Sequence, residues 1–229
     1  MGKIDANKRQ KKESLLNTAF SLFTSKGFQN TSISDIVNNA GVAKGTFYLY
    51  FTDKYDIRNK LIAHKAGLLF VDAYAALRAH AIDGFDEQII FIADYIIDQL
   101  DRDKSLLNFI AKHLSWGVFR NSLIASRDGT DQNAYTLFLE LLHGSGLTFR
   151  DPEIMIYMII EIVSGAIYNP ILHQQPVPLD QIKPYLYETV RSQIRMHIAK
   201  AEAAVETPDQ MADTGIETAT TQLPAGKRI

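Results

Sequence analysis

Residues 12 to 61 read KESLLNTAFSLFTSKGFQNTSISDIVNNAGVAKGTFYLYFTDKYDIRNKL. Leu15, Leu16, Ala19, Phe20 and Phe23 recur at three and four residues, the spacing of one helix face, and Gly27 stands where a helix C-cap belongs. Ser32 and Asp35 have the S-x-x-D spacing of a capping box, so a second helix is predicted over 33 to 40 with Ile33, Ile36, Val37 and Ala40 on its buried side. Gly41 breaks that helix, Val42 plugs into the core, and a third helix covers 44 to 50, with Phe47 and Phe51 assigned to the core. Two short helices around a tight glycine turn make a helix-turn-helix pattern.

Outward from this stretch, charge divides the chain. Residues 1 to 60 hold ten Lys and Arg against five Asp and Glu, a net +5, and the remainder holds fourteen against twenty-one, a net −7. A polyanion is attracted to the first segment and repelled by the second, since phosphate neutralisation is the main sequence-independent contribution to DNA affinity. Lys8, Arg9, Lys11 and Lys12 stand either for phosphate or minor-groove contacts or for a solvated helix start. The 229 residues are 46% hydrophobic and contain no cysteine, which suits a sizeable core in a reducing cytoplasm without disulfides or thiolate metal sites. The N-terminus lacks the apolar core of a secretory signal, and the most apolar run, Ile154 to Ile160, is too short to span a bilayer, so a soluble, intracellular protein with no membrane partner is expected.

Past the head the pattern stays helical. Residues 1 to 7 read as a frayed arm before the first helix. Asp53 is a plausible cap for a fourth helix that runs towards Arg78 with Ile57, Leu61, His64, Leu68, Val71 and Ala75 along one stripe. Further helical segments lie near 86 to 101, 104 to 119, 131 to 144, 152 to 168 and 179 to 203, with breaks at Gly144 to Gly146 and at Asn169 to Pro178. From Val205 aromatics vanish and Thr, Ala, Asp, Glu, Gly and Pro dominate, the composition of a disordered tail.

The order Ala40-Gly41-Val42-Ala43, then Gly45, Tyr48, Tyr50, Phe51 and Lys54, resembles the TetR (tetracycline repressor) family of bacterial transcriptional regulators over roughly residues 12 to 61. The family usually carries Ser as the cap where this chain has Ala43, and losing a cap costs about 1 kcal/mol. The resemblance implies an all-α protein: a helix-turn-helix DNA-binding domain over 1–54, a larger helical ligand-binding and dimerisation domain over 55–204, and the tail over 205–229. It also implies that Lys44, Gly45 and Tyr48 reach base edges in the major groove, and that Ser32, Ser34, Thr46, Tyr50 and Lys54 touch phosphates. Two late helices, 152 to 168 and 179 to 203, are the candidates for pairing with a second copy, with a monomer's central core helix as the competing reading of the first.

A chamber in the body would draw on aromatic surface, with Tyr74, Phe91, Tyr95, Phe109, His113 and Trp116 as candidates alongside Phe70 and Phe119, although such stripes are more often core than pocket. Glu161 and Asp94 are acids among apolar neighbours that either greet a cationic ligand or meet water, a tyrosine or a basic side chain. His64 reads as a satisfied core histidine. The expected function is a repressor that binds a palindromic double-stranded DNA operator as a homodimer and is released by a small-molecule effector; the alternative is a ligand-independent architectural or partner-recruiting DNA-binding protein of the same fold. No HExxH, GxSxG, glycine-rich phosphate loop or paired-His spacing points to an enzyme, and the reading requires no metal or cofactor.

Overall fold

Helix periodicity and capping chemistry set the elements, and in the computed structural model, which describes residues 3–111 and 134–199, they build an all-α architecture. Among the described residues the helices are α1 (Lys3–Ser25), α2 (Ile33–Asn39), α3 (Lys44–Tyr48), α4 (Lys54–Arg78), α5 (Phe85–Arg102), α6 (Lys104–Ala111), α7 (Ala134–Gly144), α8 (Pro152–His173) and α9 (Leu179–His197). The capping box forms as its spacing predicts: the Asp35 amide donates to Ser32 Oγ at 3.0 Å and the Ser32 amide donates to Asp35 Oδ2 at 2.8 Å. Asp53 caps α4, its Oδ1 accepting from the Tyr55 and Asp56 amides at 2.8 Å each.

The head core gathers Leu15, Leu16 and Phe23 of α1, Ile36 and Val37 of α2, Phe47 of α3, and Phe51 just beyond it. Phe47 and Phe51 are sealed from solvent, as their assignment to the core requires, and full burial of each contributes about 1.5 to 3 kcal/mol. Ile57, Leu61 and Ile62 of α4 complete that core, and farther along the same helix Phe70, Ala73 and Leu77 enter the body's core.

Four details depart from the sequence expectations. α1 begins at Lys3, so residues 3 to 7 are helix rather than a frayed arm. The buried stripe of α4 drifts to Phe70, Ala73 and Leu77, while Leu68 and Val71 are half-buried and Ala75 is exposed. A 3.6-residue period rotates the inward face over a helix this long, and its two halves meet different cores. α8 runs through Pro170 to His173 instead of breaking at Asn169, because Ile167, Pro170 and Ile171 are all buried and packing overrides one missing amide. α3 stops at Tyr48 rather than at 50, its last turn closing tightly from Tyr50 N to Phe47 O at 3.0 Å. The expected tail over 205–229 and the segment beyond residue 111 towards 119 lie outside the described residues.

The body packs α8 and α9 side by side, with α5 against α9. Lys183 of α9 donates to Asp94 and Asp98 of α5 at 2.6 Å each, and the Tyr187 hydroxyl donates to Asp94. This resolves the sequence question about Asp94: its partners are a lysine and a tyrosine. Burial alone would raise the Asp94 carboxyl, and the hydrogen bonds from Lys183 and Tyr187 outweigh it, so the group titrates below the ordinary carboxylate range. By length and composition α8 is apolar enough to cross a membrane, with a mean hydropathy of 1.6 over its best window; a third of that window is buried within the chain.

Replacing Lys183 by Met leaves two carboxylates side by side without their counter-charge. The expected loss is about 1 to 2 kcal/mol, below the full figure for a buried pair because both carboxylates stay partly solvated. A carboxyl with a depressed folded pKa stabilises above its unfolded value near 4 and loses that contribution as pH falls through the folded value. Urea denaturation at stepped pH therefore shows wild type and Lys183→Met converging below about pH 4.

Candidate nucleic-acid interface and body cavity

On α3 the inward side is Phe47, and the residues around it point away from the core. Lys44 and Gly45 are exposed, Thr46 and Tyr50 are half-buried, and Tyr48 is 53% accessible. The exposed flank thus carries a cation, a residue without a side chain and a phenol, a set suited to the edge of a base pair. Gly41, at φ +66, makes the turn that sets α3 against α2, and the Ser14 hydroxyl donates to Ala40 O at 3.3 Å, tying that turn to α1. Ser32 and Ser34 are exposed at the start of α2. Asp35 beside them is held down to about 2 by the Ser32 backbone amide first and Lys26 second.

The remaining cations divide by what they touch. Lys54 Nζ donates to Phe28 O at 2.9 Å and lies 4.5 Å from the centre of the Phe28 ring, so it buttresses the loop between α1 and α2. Lys60 Nζ donates to Tyr50 O and to Asp56 Oδ2, each at 3.0 Å, and ties α4 to the end of the turn after α3. Lys8, Arg9, Lys11 and Lys12 lie on the exposed first half of α1. Leu49, to which the sequence reading gave no role, is 78% exposed beside Tyr48. Its signal was legible: it lies two positions from both Phe47 and Phe51, and half a helical turn from a buried face points outward.

The body holds a partly open cavity of about 140 Å³. Among the described residues its walls come from α4 through α8 and include Phe70, Ile92, Ile110, Phe138 and Ile159, with Ser164 as the one polar wall residue. Ser164 Oγ donates to Glu161 O within its own helix at 3.3 Å. Most of the residues expected to line a chamber lie elsewhere. Tyr74 donates to Glu140 at 2.8 Å, Phe91 packs its ring on His80 at 5.1 Å, and Tyr95 is half-buried against the core, none of them reaching the cavity. Glu161 is exposed and is not a wall of this cavity. His113 and Trp116 lie outside the described residues. Phe70, by contrast, does form part of the wall.

Phe109 is the largest correction. It sits in the head core, its ring edge-on to Phe20 at 5.4 Å and stacked with Phe23 at 6.3 Å, because the apolar space beneath α1 outcompetes the body for that ring. The next residue, Ile110, is a wall of the body cavity. Two adjacent positions of α6 therefore touch the two halves of the molecule. His64, also at this junction, faces Glu13 Oε2 of α1 at 3.5 Å.

Residues 15–61 match the family model described as bacterial regulatory proteins, tetR family. The Tn10 TetC protein of Escherichia coli is 32% identical over 95 residues, 42% of this chain and 47% of its own length. The HTH-type transcriptional regulator YvdT of Bacillus subtilis is 38% identical over 89 residues, 39% of this chain and 43% of its own. The chain thus spans less than half the length of these two curated relatives. In three dimensions the chain is similar to the transcriptional regulator FadR from Bacillus subtilis, solved in complex with stearoyl-CoA: the TM-score is 0.53 at 18% identity, covering 80% of this chain and 98% of that one. At that identity the likeness establishes the fold.

Ala43 precedes α3 with φ −68 and ψ 147 and makes no side-chain cap. That backbone already suits a capping serine, so Ala43→Ser raises stability by about 1 kcal/mol, read as a higher thermal midpoint. Phe109→Ala loosens the head from a distance in sequence. The variant loses about 3 kcal/mol, and amide exchange quickens first in α1 rather than in α5 or α9.

Proposed function

We propose, from the match of residues 15–61 to the tetR family of bacterial regulatory proteins, that the chain is a DNA-binding transcriptional regulator and not an enzyme, a repressor that occupies a palindromic operator as a homodimer and leaves it when a small molecule binds the body. The observation that carries this reading is the outward flank of α3, where Lys44, Gly45 and Tyr48 stand exposed on a rod whose opposite side is locked by Phe47. Lys44 donates to guanine O6 or N7, Gly45 lets the backbone approach, and Tyr48, with Leu49 beside it, meets thymine methyl groups or sugars. Ser32, Ser34, Thr46 and Tyr50 hold phosphates and set the register, helped by the free amides at the start of α2. Lys54, committed to the carbonyls of Phe28 and Gln29, serves the interface by holding the loop that precedes α2.

The homodimer rests on the outer faces of α8 and α9. Ile154 and Met158 of α8, and Tyr185 and Met196 of α9, are large apolar side chains left in water. A second copy covers them, and two heads then read half-sites about 34 to 36 Å apart. The protein works in the cytoplasm, where its DNA is.

The cavity supports effector control over the ligand-independent alternative. A fold neighbour was solved in complex with stearoyl-CoA, and the body of this chain holds a cavity of its own. A ligand there touches Phe70 of α4 and Ile110 of α6, and each of those helices also enters the head core, through Leu61 and Ile62 and through Phe109. An effector that prefers one arrangement of these helices shifts the spacing of the heads by its differential affinity alone.

Gel retardation on fragments of the host genome tests the head. Wild type retains a subset of fragments, with retention falling steeply as salt rises. Lys44→Ala combined with Tyr48→Ala lowers specific affinity at least tenfold at unchanged thermal stability. Equal retention by the double variant refutes the assignment of α3.

A further inference from the structure

We propose that the body's cavity takes the end of an unbranched alkyl chain, a hydrocarbon group of about six carbons that carries no hydrogen-bonding atom inside the walls. This deepens the reading of the body as effector-responsive and rests on it.

The first support is the chemistry of the walls. Among the described residues they are aliphatic and mostly branched, with two phenylalanines and no charged side chain, and the single hydroxyl, on Ser164, is already directed to a carbonyl of its own helix. Acids do occur beside wall residues in sequence, and each turns elsewhere. Asp94 follows Ala93 and is held by Lys183 and Tyr187; Asp101 follows Leu100 and pairs with Lys104; Glu161 follows Ile160 and stands in solvent. A ligand amine, carboxylate or hydroxyl placed inside would be stripped of water and left without a partner. The polar end of the ligand must therefore remain outside.

The second support is size. An apolar cavity of about 150 Å³ stays dry and takes benzene, a six-carbon hydrocarbon. The 140 Å³ void matches that capacity, so it holds six carbons of a chain and not a drug-sized molecule. Branched Ile and Val walls on α5 and α8 give an alkyl segment close contacts on all sides, whereas a flat heteroaromatic would bury ring nitrogens or oxygens unpaired.

Isothermal titration of the full chain, without DNA, against 1-alkanols from butanol to decanol and against the matching α,ω-diols tests this. Affinity rises about fourfold for each added methylene and levels once about six carbons are buried. 1,6-Hexanediol binds at least tenfold more weakly than 1-hexanol, since its second hydroxyl enters unpaired. Ala93→Leu fills the void and weakens hexanol at least tenfold. Ile160→Ala widens it and moves the plateau to chains two or three carbons longer, which keeps the test decisive should the leucine variant fail to fold. A flat chain-length series, diols equal to alcohols, or a plateau that Ile160→Ala leaves in place overturns the proposal. DNA retention is measured separately. Chain-length-dependent binding without any relief of retention upholds the ligand class and refutes effector control, and relief by polar molecules alone does the reverse.

Discussion

One helix has to satisfy two cores. Over its 25 residues α4 puts Ile57, Leu61 and Ile62 into the head and Phe70, Ala73 and Leu77 into the body. Since a helix transmits rotation and translation along its length, neither core can repack around it without consequence for the other. Phe109 adds a second tie of a different kind, a ring from the body's α6 wedged between Phe20 and Phe23 of the head. Through these two attachments the head is positioned by the body rather than hung from it.

How much of this was legible in the sequence depended on the range of the interaction. The head was readable almost residue by residue because its signals are local: Ser32 and Asp35 three apart, Gly41 at a turn that demands positive φ, Asp53 at a helix start, Phe47 and Phe51 on one face. The body was readable as helices but not as a site. Aromatic residues drew attention as potential walls, yet Tyr74, Phe91 and Tyr95 found partners in Glu140, His80 and the core. Phe109 went to the head, a destination some 90 residues back along the chain that no spacing rule contains. Apart from Phe70 and Phe138 the walls that do form are mostly Ile, Leu and Val, and in sequence a branched aliphatic that faces a void is identical to one that faces a neighbour.

Charge shows the same contrast between composition and geometry. The excess of cations in the first 60 residues points to the head as the segment that attracts a polyanion, but the count cannot say which lysines remain available. Lys54 and Lys60 are bound to backbone carbonyls of the head, and Lys26 pairs with Asp35 at 3.1 Å. Lys44 stands on the exposed flank of α3. The scaffold uses several of its cations to hold the loops that present that flank, an arrangement in which affinity and rigidity draw on the same residue type.

The cavity has an energetic meaning of its own. Wall atoms that face the cavity lack the packing partners a filled core would give them, at some cost in stability. Ile or Leu in place of Ala66 or Ala93 would have recovered much of that, and both are wall positions. The proposed ligand would recover it instead, in the arrangement of α4 and α6 whose walls fit around it. On the proposed reading the energy released by filling would be tied to the position of Ile110, and Phe109, one residue away in the head core, would convey that position to the head. Selectivity for hydrocarbon and control of head geometry are then one requirement: the walls must be dry for the filling to be favourable, and the filling must be favourable for α6 to prefer a single place.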